Sequence, residues 1–413
     1  MSVWRQSKRN VWVWRDGNIS VTRPRALFGT LCLLFALTNL GRTAFAPLVE
    51  TLRANFDASP VAIGVVVSLA WLGSAAGRPA SAYLMTRIRR ERVVALGGLV
   101  LAAGSTVVVT AESLAALRVG AFVAGLSSGV YIGAAIPLVG DLFSERVGRA
   151  LGIHGATAQV AAVAAPGIVV AAVALADWRV TFVALGAFAV ISGVGVLLVA
   201  AHTPLPAATA PDRNLRAALT HWRVIAAGVT VVATVGFVWQ GLFNFYVTYL
   251  VTERGVAPGL ANGALSVLFA AGIPGMAVGG RLADRLPTVP YLFGLVLTFA
   301  LSVAALTAVQ GLVGVLAVSV VVGLSIHAVF PTLDTYVLGA LPDDNRASAY
   351  ALFSGLALAL EASGSTAVGI ASTRMSHGTT FLVFSLALVP VVALLSAAYT
   401  LGRFPVSRAD AVD

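Results

Sequence analysis

Twelve apolar runs follow one another from one end of this 413-residue chain to the other: roughly 26–48, 60–84, 93–111, 113–141, 148–175, 180–201, 224–250, 260–283, 289–309, 312–340, 346–373 and 378–402. A helix of about 20 residues crosses about 30 Å of hydrocarbon. In that medium only helices and closed barrels satisfy every backbone polar group, so no other feature narrows the fold as far. A soluble bundle would need a charged surface, yet only 11% of residues are charged, 58% are hydrophobic and the mean hydropathy is +0.91. The expectation is an all-α polytopic membrane protein with 12 transmembrane helices.

The net charge of +10 raises nucleic acid as a partner, and its distribution answers the point. With an even number of spans both termini share one side. That side carries Arg5, Lys8, Arg9, Arg15, Arg23, Arg25, Arg87, Arg89, Arg90, Arg92, Arg146, Arg149, Arg213, Arg216, Arg223, Arg281, Arg285, Arg346, Arg403 and Arg408, or 20 of the 27 basic residues. The opposite loops hold Arg53, Arg179, Arg254 and Arg374. Such a bias places both termini in the cytoplasm of a cell membrane, inner or plasma. The charge is a topology signal, and no nucleic-acid partner is expected. No cleavable signal is expected either, because the polar stretch before the first span is too long for one. Its "VWVW" (Val11 to Trp14) reads equally as a loose tail or as a contact with the anionic inner leaflet. The single cysteine, Cys32, excludes an intrachain disulfide.

One internal loop is long and polar, residues 202–222, "HTPLPAATAPDRNLRAALTHW". It reads as a linker between residues 1–201, holding the tail and spans 1–6, and residues 223–413, holding spans 7–12. The two sets match in order. Gly41 and Phe45 precede Gly241 and Phe245 by 200 residues, Leu84 and Arg87 precede Leu282 and Arg285 by 198, and Arg149-Ala150 precedes Arg346-Ala347 by 197. A nearly constant offset suggests duplication, which gives two pseudo-symmetric six-helix halves, the parallel-repeat design of many secondary transporters.

At these residues the chain resembles the major facilitator superfamily, over essentially its whole length. The family signature after spans 2 and 8 runs Gly-x-x-x-Asp-Arg-x-Gly-Arg. The second copy here is Gly280, Asp284 and Arg285, with Pro287 where the second glycine is usual. The first is degraded: Ala82, Thr86 and Arg89 replace Gly, Asp and Gly, leaving Arg87 and Arg90. "LFSERVGRALG" (Leu142 to Gly152) resembles the segment joining spans 4 and 5, "DWR" (Asp177 to Arg179) the turn before span 6, and Arg118 the span-4 arginine. The resemblance implies that Arg87, Gly280, Asp284 and Arg285 form a gating motif latching the halves in one access state. Gly280 would let a neighbouring helix approach, and Asp284 would meet the N-terminus of an adjacent helix. It also implies that spans 1, 4, 7 and 10 line a cavity, spans 2, 5, 8 and 11 flank it, and spans 3, 6, 9 and 12 face lipid.

Ionisable groups at membrane depth are costly and therefore informative. Spans 3, 6, 9 and 12 contain none, in agreement with that assignment. Arg78 and Arg118 lie close enough to the surfaces to snorkel, and His154 is near the start of span 5. Arg42 stands in the outer third of span 1 and shares a helix face with Asn39. Glu361 and His327 lie near the midplane, and His327, Pro331 and Asp334 share one face of span 10. Burial disfavours the charged form of either group, a property that proton coupling uses. For Asp334, helix capping or an interfacial ion pair is an equal alternative. Structural histidine–carbonyl and Glu–Arg pairings are the competing accounts of the other two. Span 7 adds Trp239, Gln240 and Asn244, which suit a small organic solute; Tyr246 and Tyr249 suit either that solute or an interfacial aromatic belt.

No phosphate-cradling loop, metal-ligand cluster or nucleophile triad is present in the sequence, so neither enzyme chemistry nor a metal or cofactor is expected. The partners are a small solute, protons and the bilayer. The reading is a secondary active transporter of a small organic solute by alternating access, with proton coupling and anion recognition suggested by Glu361 and Arg42. A drug or metabolite exporter working by proton antiport is the alternative, although "AAVAAPG" (Ala161 to Gly167) has alanines where the antiporter signature has glycines. A non-transporting sensor, or a membrane-embedded enzyme using His327 and Asp334, is the reading from another class.

Overall fold

The computed structural model describes residues 22–143, 147–205, 219–341 and 346–405. The tail with its VWVW stretch, most of the linker and the centre of the span 4–5 connection lie outside them. Among the described residues, twelve helical segments are long and apolar enough to cross a membrane: Pro24–Thr43, Pro60–Leu84, Arg90–Val109, Leu114–Leu142, Arg149–Leu175, Arg179–Ala201, Leu219–Thr252, Pro258–Ala283, Thr288–Ala308, Leu312–Ala340, Ala349–Ala371 and His377–Thr400. They correspond in order to the twelve predicted runs, and no strand occurs among the described residues. We call the end holding the loop between spans 2 and 3 the near end, and the other the far end.

Two spans depart from the simple reading. Span 1 does not stop in its apolar run: helix Thr22–Thr43 is followed by helix Phe45–Asn55. Span 8 is two helices, Pro258–Ala270 and Gly272–Ala283. Each break lies three residues ahead of a proline, Pro47 and Pro274. Proline has no N–H to give the carbonyl four residues back, so the ladder fails at Thr43 and at Ala270.

The first six spans pack among themselves, as do the last six. Close approach comes from small residues. Gly73 and Gly77 on span 2 face Gly125 and Gly129 on span 4, and a Cβ on Gly125 would stand 1.7 Å from the Ala70 carbonyl oxygen. Serines cap the far-end starts of the even-numbered spans 2, 4 and 12: Ser59, Ser113 and Ser376 each accept the backbone N–H three residues on.

Where described residues of the two sets hydrogen-bond one another, they do so in the middle or toward the far end. Ser68 on span 2 accepts both the backbone N–H (3.1 Å) and the hydroxyl (2.8 Å) of Thr366 on span 11. Thr248 donates to Glu50 at 2.6 Å, tying span 7 to the second helix of span 1. Span 5 packs extensively on the far-end helix of span 8 and only slightly on its near-end helix. The halves are therefore sealed at the far end, and spans 5 and 8 part toward the near end.

Candidate functional site

Arg42 is an ionisable group of the interior held from two spans and by an aromatic ring. Asn39, three residues earlier on span 1, accepts from Nη2 at 2.6 Å, while Nη1 donates to Ser74 of span 2 at 3.2 Å. Asn39 is itself anchored, donating to the Ala158 carbonyl of span 5 at 2.7 Å. The guanidinium lies 4.3 Å from the centroid of Trp71, a cation–π contact. Arg42 is 7% exposed and its buried Nε has no partner. Burial of that group is not the arrangement of a snorkelling side chain. Because the helix resumes after Ala44, Arg42 stands near the middle of the span rather than in its outer third.

Glu361 comes to the same region from the other set of spans. It is 7% exposed, and its carboxyl makes no hydrogen bond or ion pair among the described residues. The charges acting on it are Arg78 and Arg42. Its side chain crosses Gly236 of span 7, where a Cβ would stand 2.4 Å from Cδ and 2.7 Å from Oε2.

Arg78 departs from expectation. Read from depth as a snorkelling residue, it is half-buried, its Nε is buried without a partner, and it interacts electrostatically with Tyr350, Glu361 and Asp334. It lies four residues after Ser74, so the face that holds Arg42 presents Arg78 one turn later. Asp334 is half-buried and accepts from the Tyr350 hydroxyl at 2.7 Å, so its partner is a phenol rather than a helix end. Two guanidiniums from spans 1 and 2 thus face two carboxyl groups from spans 10 and 11.

Gln159 of span 5, absent from the sequence-based set, is the third polar link across the middle. It donates to the Phe269 carbonyl at 2.6 Å, at the break of span 8, and lies 3.3 Å from Nε2 of His327. The other ring nitrogen of His327 is 2.8 Å from the Gly323 carbonyl and so donates to it. With Nδ1 donating, Nε2 accepts from Gln159, the pattern of a neutral ring held in place. Gly272 leaves room for the meeting, since a Cβ there would stand 2.6 Å from Gln159 Nε2. Trp239 packs edge-on against His327 and Phe269, at 5.4 and 5.7 Å between centroids, and Trp71 reaches Phe243 across the halves at 5.9 Å. These rings form an apolar wall around the polar groups.

Other candidates have local duties. Asn244 donates to the Gln240 carbonyl at 2.8 Å and to Ser365 at 3.0 Å, which knits span 7 to span 11. Gln240 is 1% exposed and Asn244 fully buried. Tyr246 and Tyr249 do not form an interfacial belt. They point into the protein, to Ser319 at 2.6 Å and the Leu306 carbonyl at 3.1 Å.

The residues expected to form a gating motif are not joined to one another among the described contacts. Asp284 ends the near-end helix of span 8, exposed, with no partner among the described residues, and Arg285 is exposed beside it. Among the described residues Asp284 does not meet another helix's N-terminus. Nor is Gly280 the point of close approach: its Cβ would sit 3.8 Å from Pro331, whereas Gly279 abuts Ala328 at 2.6 Å. One residue is 100° of helix, enough to turn Gly280 away. Arg87 is exposed and lies over Tyr83 at 5.7 Å. Arg90 pairs with Asp141 of span 4, and Arg89 with Glu91 at 2.7 Å.

Comparison with known proteins agrees with this fold. The sequence profile of the Major Facilitator Superfamily matches residues 31–361. Among solved structures, the chain is similar to a bacterial homologue of the human lysosomal transporter Spinster. In the inward-facing, unoccupied conformation of that protein the TM-score is 0.74 at 19% identity, covering 86% of this chain and 83% of that one. In its inward-facing, occupied conformation the TM-score is 0.71 at 17% identity, covering 93% and 98%. No curated protein matches by sequence.

Proposed function

Because the chain belongs to the Major Facilitator Superfamily, whose members carry small solutes across membranes by alternating access, we propose that it is a secondary active transporter of a small organic solute bearing a negative group, driven by protons exchanged at Glu361. The observation that carries this reading is the buried Arg42 guanidinium, fixed by Asn39 and Ser74 and stacked on Trp71, with Glu361 opposite it on the other half.

An immobile guanidinium recognises a carboxylate or phosphate without further ordering, and the rings of Trp71, Trp239, Phe243 and Phe269 suit an apolar body beside that anion. Among the described residues Glu361 has no hydrogen-bond donor. The positive charges acting on its carboxyl are Arg78 and Arg42, so the balance of charge among the four groups changes as the solute's anion arrives there. With the termini in the cytoplasm, as the basic bias supports, the far end is extracellular and the sealed far end corresponds to an inward-facing state of a cell-membrane carrier. In the opposite state Ser68–Thr366, Glu50–Thr248 and Gln159–Phe269 separate, while Asp284 and Arg285 engage the near end.

The test is flux into proteoliposomes over a panel of organic acids, neutral solutes and lipophilic drugs, with and without a pH gradient. Proton-dependent uptake of an acid supports the reading. Uptake confined to lipophilic cations would favour the exporter, which the aromatic wall also suits. Absence of flux for every solute would leave a sensor.

A further inference from the structure

We infer that Gly236 is a positioning residue for Glu361: its missing side chain is the seat that holds the acid between spans 7 and 11. The inference rests on the proposed role of Glu361 and goes beyond it by naming what fixes the carboxyl group in space.

Glycines on these two helices do two different jobs. Gly364 of span 11 is a packing glycine, because a Cβ there would stand 2.0 Å from the backbone oxygen of Phe237. Gly241 of span 7 is another, with Val368 Cγ2 at 2.4 Å and the Gly364 oxygen at 3.1 Å. At both, a neighbouring helix backbone is close. At Gly236 the three nearest atoms all belong to one side chain: Cγ, Cδ and Oε2 of Glu361, at 2.3, 2.4 and 2.7 Å. No backbone atom comes as near. The absent Cβ therefore accommodates the carboxyl arm and not the approach of the helices.

The seat has a consequence for the acid. Span 7 offers the carboxyl no donor at this point, and the charged groups acting on it are Arg78 of span 2 and Arg42 of span 1. Asp334 of span 10 acts on Arg78 instead, together with Tyr350. Among the described residues, both charged groups acting on Glu361 thus stand in the other half. A carboxyl lying across Gly236 keeps a fixed distance to both arginines within one state, and that distance changes only when the halves move. Any β-carbon at position 236 forces the arm out of its rotamer and alters the distance without altering a charge.

The experiment uses the full chain in lipid nanodiscs and needs no solute. Infrared difference spectra between acid and alkaline buffer report the carboxylic C=O stretch, and the band lost in Glu361→Gln belongs to Glu361. Gly236→Ala is expected to shift the titration of that band by up to about tenfold in proton concentration, the effect of a forced rotamer on a buried group. Thermal unfolding supplies the second measurement. Gly236→Ala lowers the midpoint in the wild-type background and leaves it unchanged in a Glu361→Ala background, where no arm occupies the seat.

An unshifted band in Gly236→Ala overturns the inference. So does an equal loss of stability in both backgrounds, which would make Gly236 a packing glycine like Gly364. If Glu361→Gln removes no titrating band, the coupling role fails on its own, and the thermal cycle still decides whether Gly236 seats the side chain.

Discussion

The hydroxyl of Ser68 accepts two hydrogen bonds from Thr366, 2.8 Å from its side chain and 3.1 Å from its backbone nitrogen. Span 2 belongs to the first six spans and span 11 to the last, so one small side chain fastens the halves at the sealed end. Beside it, Gly64 and Gly369 bring the two helix backbones together, with Cβ positions 2.6 Å from the Ser365 and Pro60 oxygens.

Ser68→Ala removes the single oxygen that accepts both hydrogen bonds and adds no bulk. At about 1 kcal/mol for each hydrogen bond, the population with an open far end should rise about fivefold to thirtyfold. Spin labels on the far-end loops of a Cys32→Ser background measure the distribution, and an unchanged one would assign the seal to the glycines alone.

Asp284→Asn should leave folding unharmed, within about 0.5 kcal/mol, since the group is exposed and has no partner among the described residues. The same change should slow interconversion of the access states, because the carboxylate is needed only when the near end closes. Accessibility labelling that gives the wild-type state distribution and rate would remove the latch role.

Arg42→Lys should retain part of the flux and Arg42→Gln lose most of it. A lysine keeps the charge but cannot reach Asn39 and Ser74 together as the two arms of the guanidinium do. Equal uptake by wild type and Arg42→Gln would leave Arg42 a structural cation stacked on Trp71.

Glu361→Gln should abolish accumulation driven by a pH gradient and spare solute exchange across a symmetric membrane. Glutamine copies the shape of the protonated acid and cannot cycle. In wild type, uptake should rise with the imposed gradient; in the variant it should stay level. A variant that still concentrates solute on a proton gradient alone moves the coupling site elsewhere.

Gly125→Ala should destabilise the first six spans by about 1–3 kcal/mol, because its Cβ would fall 1.7 Å from the Ala70 oxygen. Heat-induced loss of the monodisperse peak measures this.

What the sequence could disclose was whatever lies within a helix turn or repeats along the chain. The twelve spans follow from hydrophobic length, and the Asn39–Arg42 bond follows from spacing i, i+3. Depth along a span is also readable, but direction around it is not. That is why depth alone reads Arg78 as a surface group, and why the motif points to Gly280 where Gly279 makes the contact. Tyr246 and Tyr249 were ambiguous for the same reason. The links that join the halves, Gln159 to Phe269 and Glu50 to Thr248, are 110 and 198 residues apart in sequence. No local pattern announces such pairs, and only the packed helices bring them together.

The interruptions ahead of Pro47 and Pro274 bear on how force is carried through the molecule. A continuous helix is a stiff rod, and torque applied at one end reaches the other. Spans 1 and 8 each contain an elastic joint, at Ala44 and Ala271, where a rung of the ladder is missing. The far-end pieces, Phe45–Asn55 and Pro258–Ala270, carry the contacts of Glu50 and Phe269. Those pieces can swing as short levers while the near-end pieces keep their registry. The first strain of opening is thereby absorbed at two small hinges, one in each half, before either bundle has to turn as a whole.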